Sequence, residues 1–129
     1  MASIDPTTGA LTAVSGSPFA LTQAVDSIVI DNTGSYLYGG NSRENIIQEF
    51  AIDPSTGVLT LFATEDLPGQ EGIDPFLSAI DPSNTYLFCS QTPYSPYSIN
   101  QATGVLRKFL DGTTMNVINA VPVAFSSTL

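Results

Sequence analysis

A nine-residue phrase written three times along this chain constrains its fold more than any other feature. Ile4-Asp5-Pro6-Thr7-Thr8-Gly9-Ala10-Leu11-Thr12 returns as Ile52-Asp53-Pro54-Ser55-Thr56-Gly57-Val58-Leu59-Thr60, and again, altered, as Ile99-Asn100-Gln101-Ala102-Thr103-Gly104-Val105-Leu106-Arg107. Successive copies start 48 and 47 residues apart. Self-similarity at such a period marks a repeat architecture, in which each unit is one supersecondary motif that cannot bury its faces alone. The phrase itself is turn chemistry. Proline presets φ at the second turn position, aspartate accepts from the amides that follow it, and glycine takes the left-handed position that returns the chain as a hairpin.

A second phrase interleaves with the first. Ser27-Ile28-Val29-Ile30-Asp31-Asn32-Thr33-Gly34-Ser35-Tyr36-Leu37-Tyr38 matches Leu77-Ser78-Ala79-Ile80-Asp81-Pro82-Ser83-Asn84-Thr85-Tyr86-Leu87-Phe88 at an offset of 50 residues. Both read as an apolar strand, a tight turn and a Tyr-led strand. The two phrases together predict four short strands per unit, over 26–31, 36–40, 46–52 and 58–64, then over 76–81, 86–90, 95–99 and 105–110. Lone strands are expected near 10–14 and 120–125. No window shows helical periodicity without a Gly or Pro interruption. Period and strand length point to an all-β chain of β-propeller type, one module over 1–129 with four-stranded blades at 25–64 and 75–110. Pro96 falls inside the third strand of the second blade, where it removes a ladder hydrogen bond, so that strand is expected to be short, bulged or displaced.

Charge narrows the partners. Twelve acids stand against three bases, Arg43, Arg107 and Lys108, giving a formal net charge of −9. Such a surface repels phosphate backbones, and the aromatic residues lack the basic neighbours of a nucleic-acid platform. No apolar run approaches the roughly 20 residues of a transmembrane helix, so a soluble chain with no membrane insertion is expected. No signal peptide is legible ahead of the first phrase, whether removed or never present, and the compartment stays open.

Few side chains offer chemistry. The chain has no histidine. Asp5, Asp31, Asp53 and Asp81 sit in turns and lack the alternating oxygen ligands of a calcium loop, so neither a metal nor a cofactor is expected. The lone cysteine, Cys89, lies in the apolar run Tyr86-Leu87-Phe88-Cys89 and reads as a buried, inert thiol. The variable loops hold the remaining candidates. Glu65, Asp66, Glu71 and Asp74, with Arg43, Glu44 and Tyr94, are expected on one face of the blades as a rim for a cation or a basic partner. The same residues also read as solvated loops, and no carboxylate pair for acid–base catalysis is identified by spacing.

The repeated phrases, with Gly16-Ser17-Pro18-Phe19 and Tyr36-Leu37-Tyr38-Gly39-Gly40-Asn41, resemble the lactonase-type β-propellers, which include 6-phosphogluconolactonase-like and YVTN-repeat surface proteins. The resemblance runs from Ile4 to about Leu110. It implies seven blades, a secreted or cell-surface setting for some members, and the opening of a sugar lactone by His, Arg and acidic side chains around a central channel. With no histidine and one loop arginine, Arg43, no catalytic set carries over. The favoured expectation is therefore a non-catalytic module for binding or self-assembly. Two blades leave apolar faces and strand edges uncovered, so completion by further copies is expected, as a homo-oligomer or a filament, through blade faces or strand exchange. Two alternatives stay open: a fragment of a seven-bladed lactonase-like hydrolase, and a fibre-forming surface or matrix protein.

Overall fold

Each repeated phrase folds as a tight turn between antiparallel strands. In the computed structural model, which describes residues 2–19, 21, 23–66, 76–90 and 95–108, Asp5 Oδ1 accepts from the Thr7 and Thr8 amides at 2.8 and 2.9 Å. Asp53 Oδ1 does the same for Ser55 and Thr56 at 2.9 and 2.8 Å. Asn100 stands in for the aspartate in the third copy, accepting from Ala102 and Thr103 at 3.0 and 3.3 Å. Gly9, Gly57 and Gly104 then take φ of +71°, +71° and +74°, a backbone that costs a side-chain-bearing residue about 1–2 kcal/mol.

Ten strands occur among the described residues, and no helix. A two-stranded hairpin joins β1 (Ala2–Ile4) to β2 (Leu11–Ala13). The first blade is the antiparallel sheet β3 (Ser27–Ile30), β4 (Tyr36–Asn41), β5 (Ile46–Ile52) and β6 (Leu59–Asp66), in that order. The second repeats it with β7 (Phe76–Ile80), β8 (Tyr86–Ser90), β9 (Ser95–Ile99) and β10 (Leu106–Lys108). The chain is thus all-β, with propeller-type four-stranded antiparallel blades.

The core lies between the two blades. Side chains alternate across a strand, so Tyr36 and Tyr38 share one face of β4 and Leu37 takes the other. The tyrosine face meets the second blade: Tyr38 and Ile47 are buried with Ile80, Leu87, Tyr97 and Leu106. Removing such side chains from water stabilises the fold by about 1.5–3 kcal/mol each. Polar groups fix the angle of the seam. The Tyr38 hydroxyl donates to the Gly104 carbonyl at 2.8 Å and the Tyr36 hydroxyl to the Ala102 carbonyl at 3.2 Å. The Leu106 amide donates to Glu49 Oε2 at 3.2 Å. Nearer the inner turns, Asn84 accepts from the Asn32 amide at 2.9 Å and donates to Asp31 Oδ2 at 3.1 Å.

Of three expectations, one meets a different structure, one is met in its length alone, and one meets none. The strand near 10–14 is not alone: β2 pairs in register with β1, because the Asp5 turn returns the chain through Asp5 N to the Ala10 carbonyl at 2.9 Å. The strand around Pro96 is five residues against the seven of β5. It keeps an unbroken register with β8, Pro96 facing Phe88, and the irregularity falls instead between Leu77 and Ala79 of β7. The strand near 120–125 lies outside the described residues.

Candidate functional site

The loop between β4 and β5 is ordered by its own side chains. Asn41, last residue of β4, accepts from the Arg43 and Glu44 amides, both at 3.0 Å. Asn45 closes the turn in left-handed conformation at φ 53°. Beside this loop lies Asp26, just ahead of β3, whose amide donates to the Gly40 carbonyl at 2.8 Å. Its carboxylate accepts from the Ser42 amide at 2.8 Å and also from the Ser42 hydroxyl. These bonds from Ser42, hydroxyl first, hold the Asp26 carboxyl below the usual carboxylate range, and the nearby Arg43 guanidinium adds to the effect.

Together these groups line an open cavity of about 370 Å³, walled by Gln23, Asp26, Asn41, Ser42, Arg43 and Glu44. The set combines a guanidinium fork, an ionised carboxylate, a hydroxyl and two amides, all able to bond a polyhydroxylated molecule. Arg43 has the geometry to polarise a carbonyl or to hold a carboxylate or phosphate. Asp26, kept acidic, accepts hydroxyl protons well but is a weak base near neutral pH. No cluster of three metal-ligating side chains occurs among the described residues.

The predicted rim divides. Arg43 and Glu44 line the cavity. Glu65 and Asp66 sit at the same end of the blade, opposite Ile47 and Ile46. Glu65 acts toward the seam instead, where its charge bears on Glu49 and Tyr97. Glu71, Asp74 and Tyr94 lie outside the described residues. Asp26, Gln23 and Asn41 were missed from sequence: the expected strand ends at residue 40, one short of Asn41, and the β3–β4 register that brings Asp26 to Ser42 carries no motif that singles out either side chain. Glu49 was also missed. It is buried in the seam, and loss of solvent pushes its carboxyl up to about 7, with repulsion from Glu65 adding. Its one legible signal was an acid inside the run Ile46-Ile47-Gln48-Glu49-Phe50. The buried Tyr97 hydroxyl has no hydrogen-bond partner among the described residues, and burial raises its proton affinity. Cys89 is fully buried and its thiol is pushed up to about 12 by desolvation.

Comparison with curated proteins finds no match. A solved structure of a candidate 6-phosphogluconolactonase from Bacteroides uniformis ATCC 8492 is similar, at 29% identity and a TM-score of 0.56 over 63% of this chain. The chain spans 24% of that protein's length. The sequence model of the lactonase family, described as a seven-bladed β-propeller, matches residues 2–125. A match across almost the whole chain shows that the protein belongs to the seven-bladed lactonase β-propeller family.

Proposed function

We propose that these two blades are a section of a lactonase-type ring that opens a sugar lactone, and that the Asp26–Arg43 cavity forms part of its sugar-binding wall. The observation that carries this reading is the family match over residues 2–125; the 6-phosphogluconolactonase-like neighbour agrees with it. Both favour hydrolysis over the non-catalytic binding or self-assembly module, which neither supports. In this reading Arg43 donates to the lactone carbonyl or to an anionic substituent, while Asp26 and Asn41 bond ring hydroxyls. The base that activates water belongs to other blades, since Asp26 is held too acidic and Glu49 is spent on the Leu106 amide.

The test is sugar δ-lactone hydrolysis, corrected for the spontaneous rate, with ligand-observed NMR as the binding readout. The chain by itself is expected to bind the lactone without accelerating its opening, and Arg43→Ala to weaken that binding about tenfold, the loss of one charge-assisted contact. A protein carrying these blades in a folded ring of seven is expected to turn the lactone over. Absence of turnover there overturns the proposal.

A further inference from the structure

The inner turns of the two blades come from one phrase, and where they differ they touch each other. Between β3 and β4 the turn reads Asp31-Asn32-Thr33-Gly34; between β7 and β8 it reads Asp81-Pro82-Ser83-Asn84. Each aspartate builds its own turn in the same way. Asp31 Oδ1 accepts from the Ser35 and Tyr36 amides at 2.7 and 2.8 Å, and Asp81 Oδ1 from the Thr85 and Tyr86 amides at 2.8 and 2.6 Å. Gly34 and Asn84 are both left-handed, with φ of 72° and 61°, a conformation that glycine and asparagine alike can visit. Either set of residues therefore serves the turn.

The differing residues carry the bonds that cross the seam. Asn84 Nδ2 donates to Asp31 Oδ2 at 3.1 Å, and Asn84 Oδ1 accepts from the Asn32 amide at 2.9 Å. Asn32 Nδ2 in return donates to the Asp81 carbonyl at 2.8 Å. Asn84 and Asp31 are buried, at 9% and 4% exposure. A proline at position 32 would lack both the amide hydrogen and the side-chain donor, and a glycine at position 84 would lack the carboxamide.

The two halves of this contact are thus divided between the blades. Asn32 reaches forward to the second blade, and Asn84 reaches back to the first. Pro82 leaves the second blade without a forward half, and Gly34 leaves the first without a backward half. Packing does not demand that glycine, since a Cβ at residue 34 would meet nothing within 4 Å. Chains of like units are prone to misassembly, and discrimination among near-identical partners needs an element that fits one pairing and fails in the others. We infer that Asn32, Asn84 and Asp31 form a keyed clasp that specifies blade order: it closes when the second blade follows the first and in no other pairing of the two. A blade in the wrong place leaves the buried carboxamide unpaired, which opposes that arrangement. The inference concerns blade packing alone, so a chain inert toward lactones leaves it standing.

The test is a full chain of unchanged composition with the halves exchanged: Asn32→Pro and Gly34→Asn in the first turn, Pro82→Asn and Asn84→Gly in the second. Each turn then holds residues that its counterpart already accommodates, while the clasp faces away from the seam. The folding equilibrium constant from urea denaturation is expected to fall at least about tenfold, as for the loss of buried hydrogen bonds. Equal stability overturns the inference. Asn84→Gly alone decides the matter if the exchanged chain does not fold. A role confined to the turn predicts equal or greater stability, because glycine takes positive φ without steric cost. The clasp predicts a loss. It also predicts that hydrogen exchange quickens more at the Asn32 amide than at the Gly34 amide, which donates to the Asp31 carbonyl inside its own turn at 3.0 Å. Stability at or above that of the wild type overturns the inference, and so does an unchanged Asn32 exchange rate.

Discussion

The hydroxyl of Tyr38, on the second strand of the first blade, donates to the carbonyl of Gly104 in the outer turn of the second at 2.8 Å, in a fully buried position. Sixty-six residues of sequence separate the two. This bond ties the Tyr-led strand of one repeat to the Asn100–Gly104 turn of the next, the altered third copy of the turn phrase, so the two repeated phrases meet in space although they never meet locally.

Tyr38→Phe keeps the ring and removes the donor. Phe88 occupies the equivalent strand position one repeat on, so the sheet accepts phenylalanine there. The cost is the buried Gly104 carbonyl left unpaired, about 1–3 kcal/mol. Urea denaturation is expected to show a lower midpoint with an unchanged m-value.

Gly104→Ala should be far worse than Gly9→Ala, although both glycines sit near φ +70°. A Cβ at residue 104 would lie 2.4 to 2.7 Å from ring atoms of Tyr36, whereas at residue 9 nothing lies within 4 Å. The second change is expected to cost only the left-handed penalty, about 1–2 kcal/mol. The first adds displacement of a packed ring and is expected to exceed it by about 2 kcal/mol. Equal melting temperatures for the two variants would refute the steric account.

Glu49 makes stability fall as pH rises. Burial raises its folded carboxyl from 4.5 to about 7, so between these values the native state holds the proton and the unfolded state has released it. The contribution is full below about 4.5 and is lost as pH climbs through about 7, on the order of a few kcal/mol. Asp31 and Asp81 act oppositely. Hydrogen bonds from their own turns, chiefly the Thr33 and Ser83 hydroxyls, outweigh desolvation and hold both carboxyls low, so their contribution is lost as pH falls below the ordinary carboxylate range. A stability maximum on the acid side of neutral is expected. Glu49→Gln should keep an acceptor for the Leu106 amide and flatten the limb between pH 5 and 8, read by chemical denaturation at each pH. An unchanged limb would remove Glu49 as its cause.

Cys89 should be inert in the native chain. Its thiol is fully buried and its pKa near 12 leaves almost no thiolate at pH 8. A disulfide reagent is expected to label it only once the protein unfolds, with a rate that follows denaturant. Prompt labelling without denaturant would place the side chain outside the seam.

The sequence by itself determined the turns and the strands. Asp5, Asp53 and Asn100 bond amides two and three residues ahead, and Gly9, Gly57 and Gly104 supply the left-handed step, so the information is contained within five residues. Alternation then placed Tyr36 and Tyr38 on one face of β4, and the repeat gave the four strands of each blade. What only the tertiary structure decided is which faces meet. Blade packing set Tyr38 on Gly104 and Glu49 on the Leu106 amide, while the β3–β4 pairing inside the first blade brought Asp26 to Ser42. The β5–β6 register likewise set Glu65 opposite Ile47, on the seam face. Those contacts join residues 16 to 66 positions apart, and no propensity or turn motif reports the angle between two sheets. Repetition encodes the blade; the packing of one blade on the next makes Glu49 a buried acid.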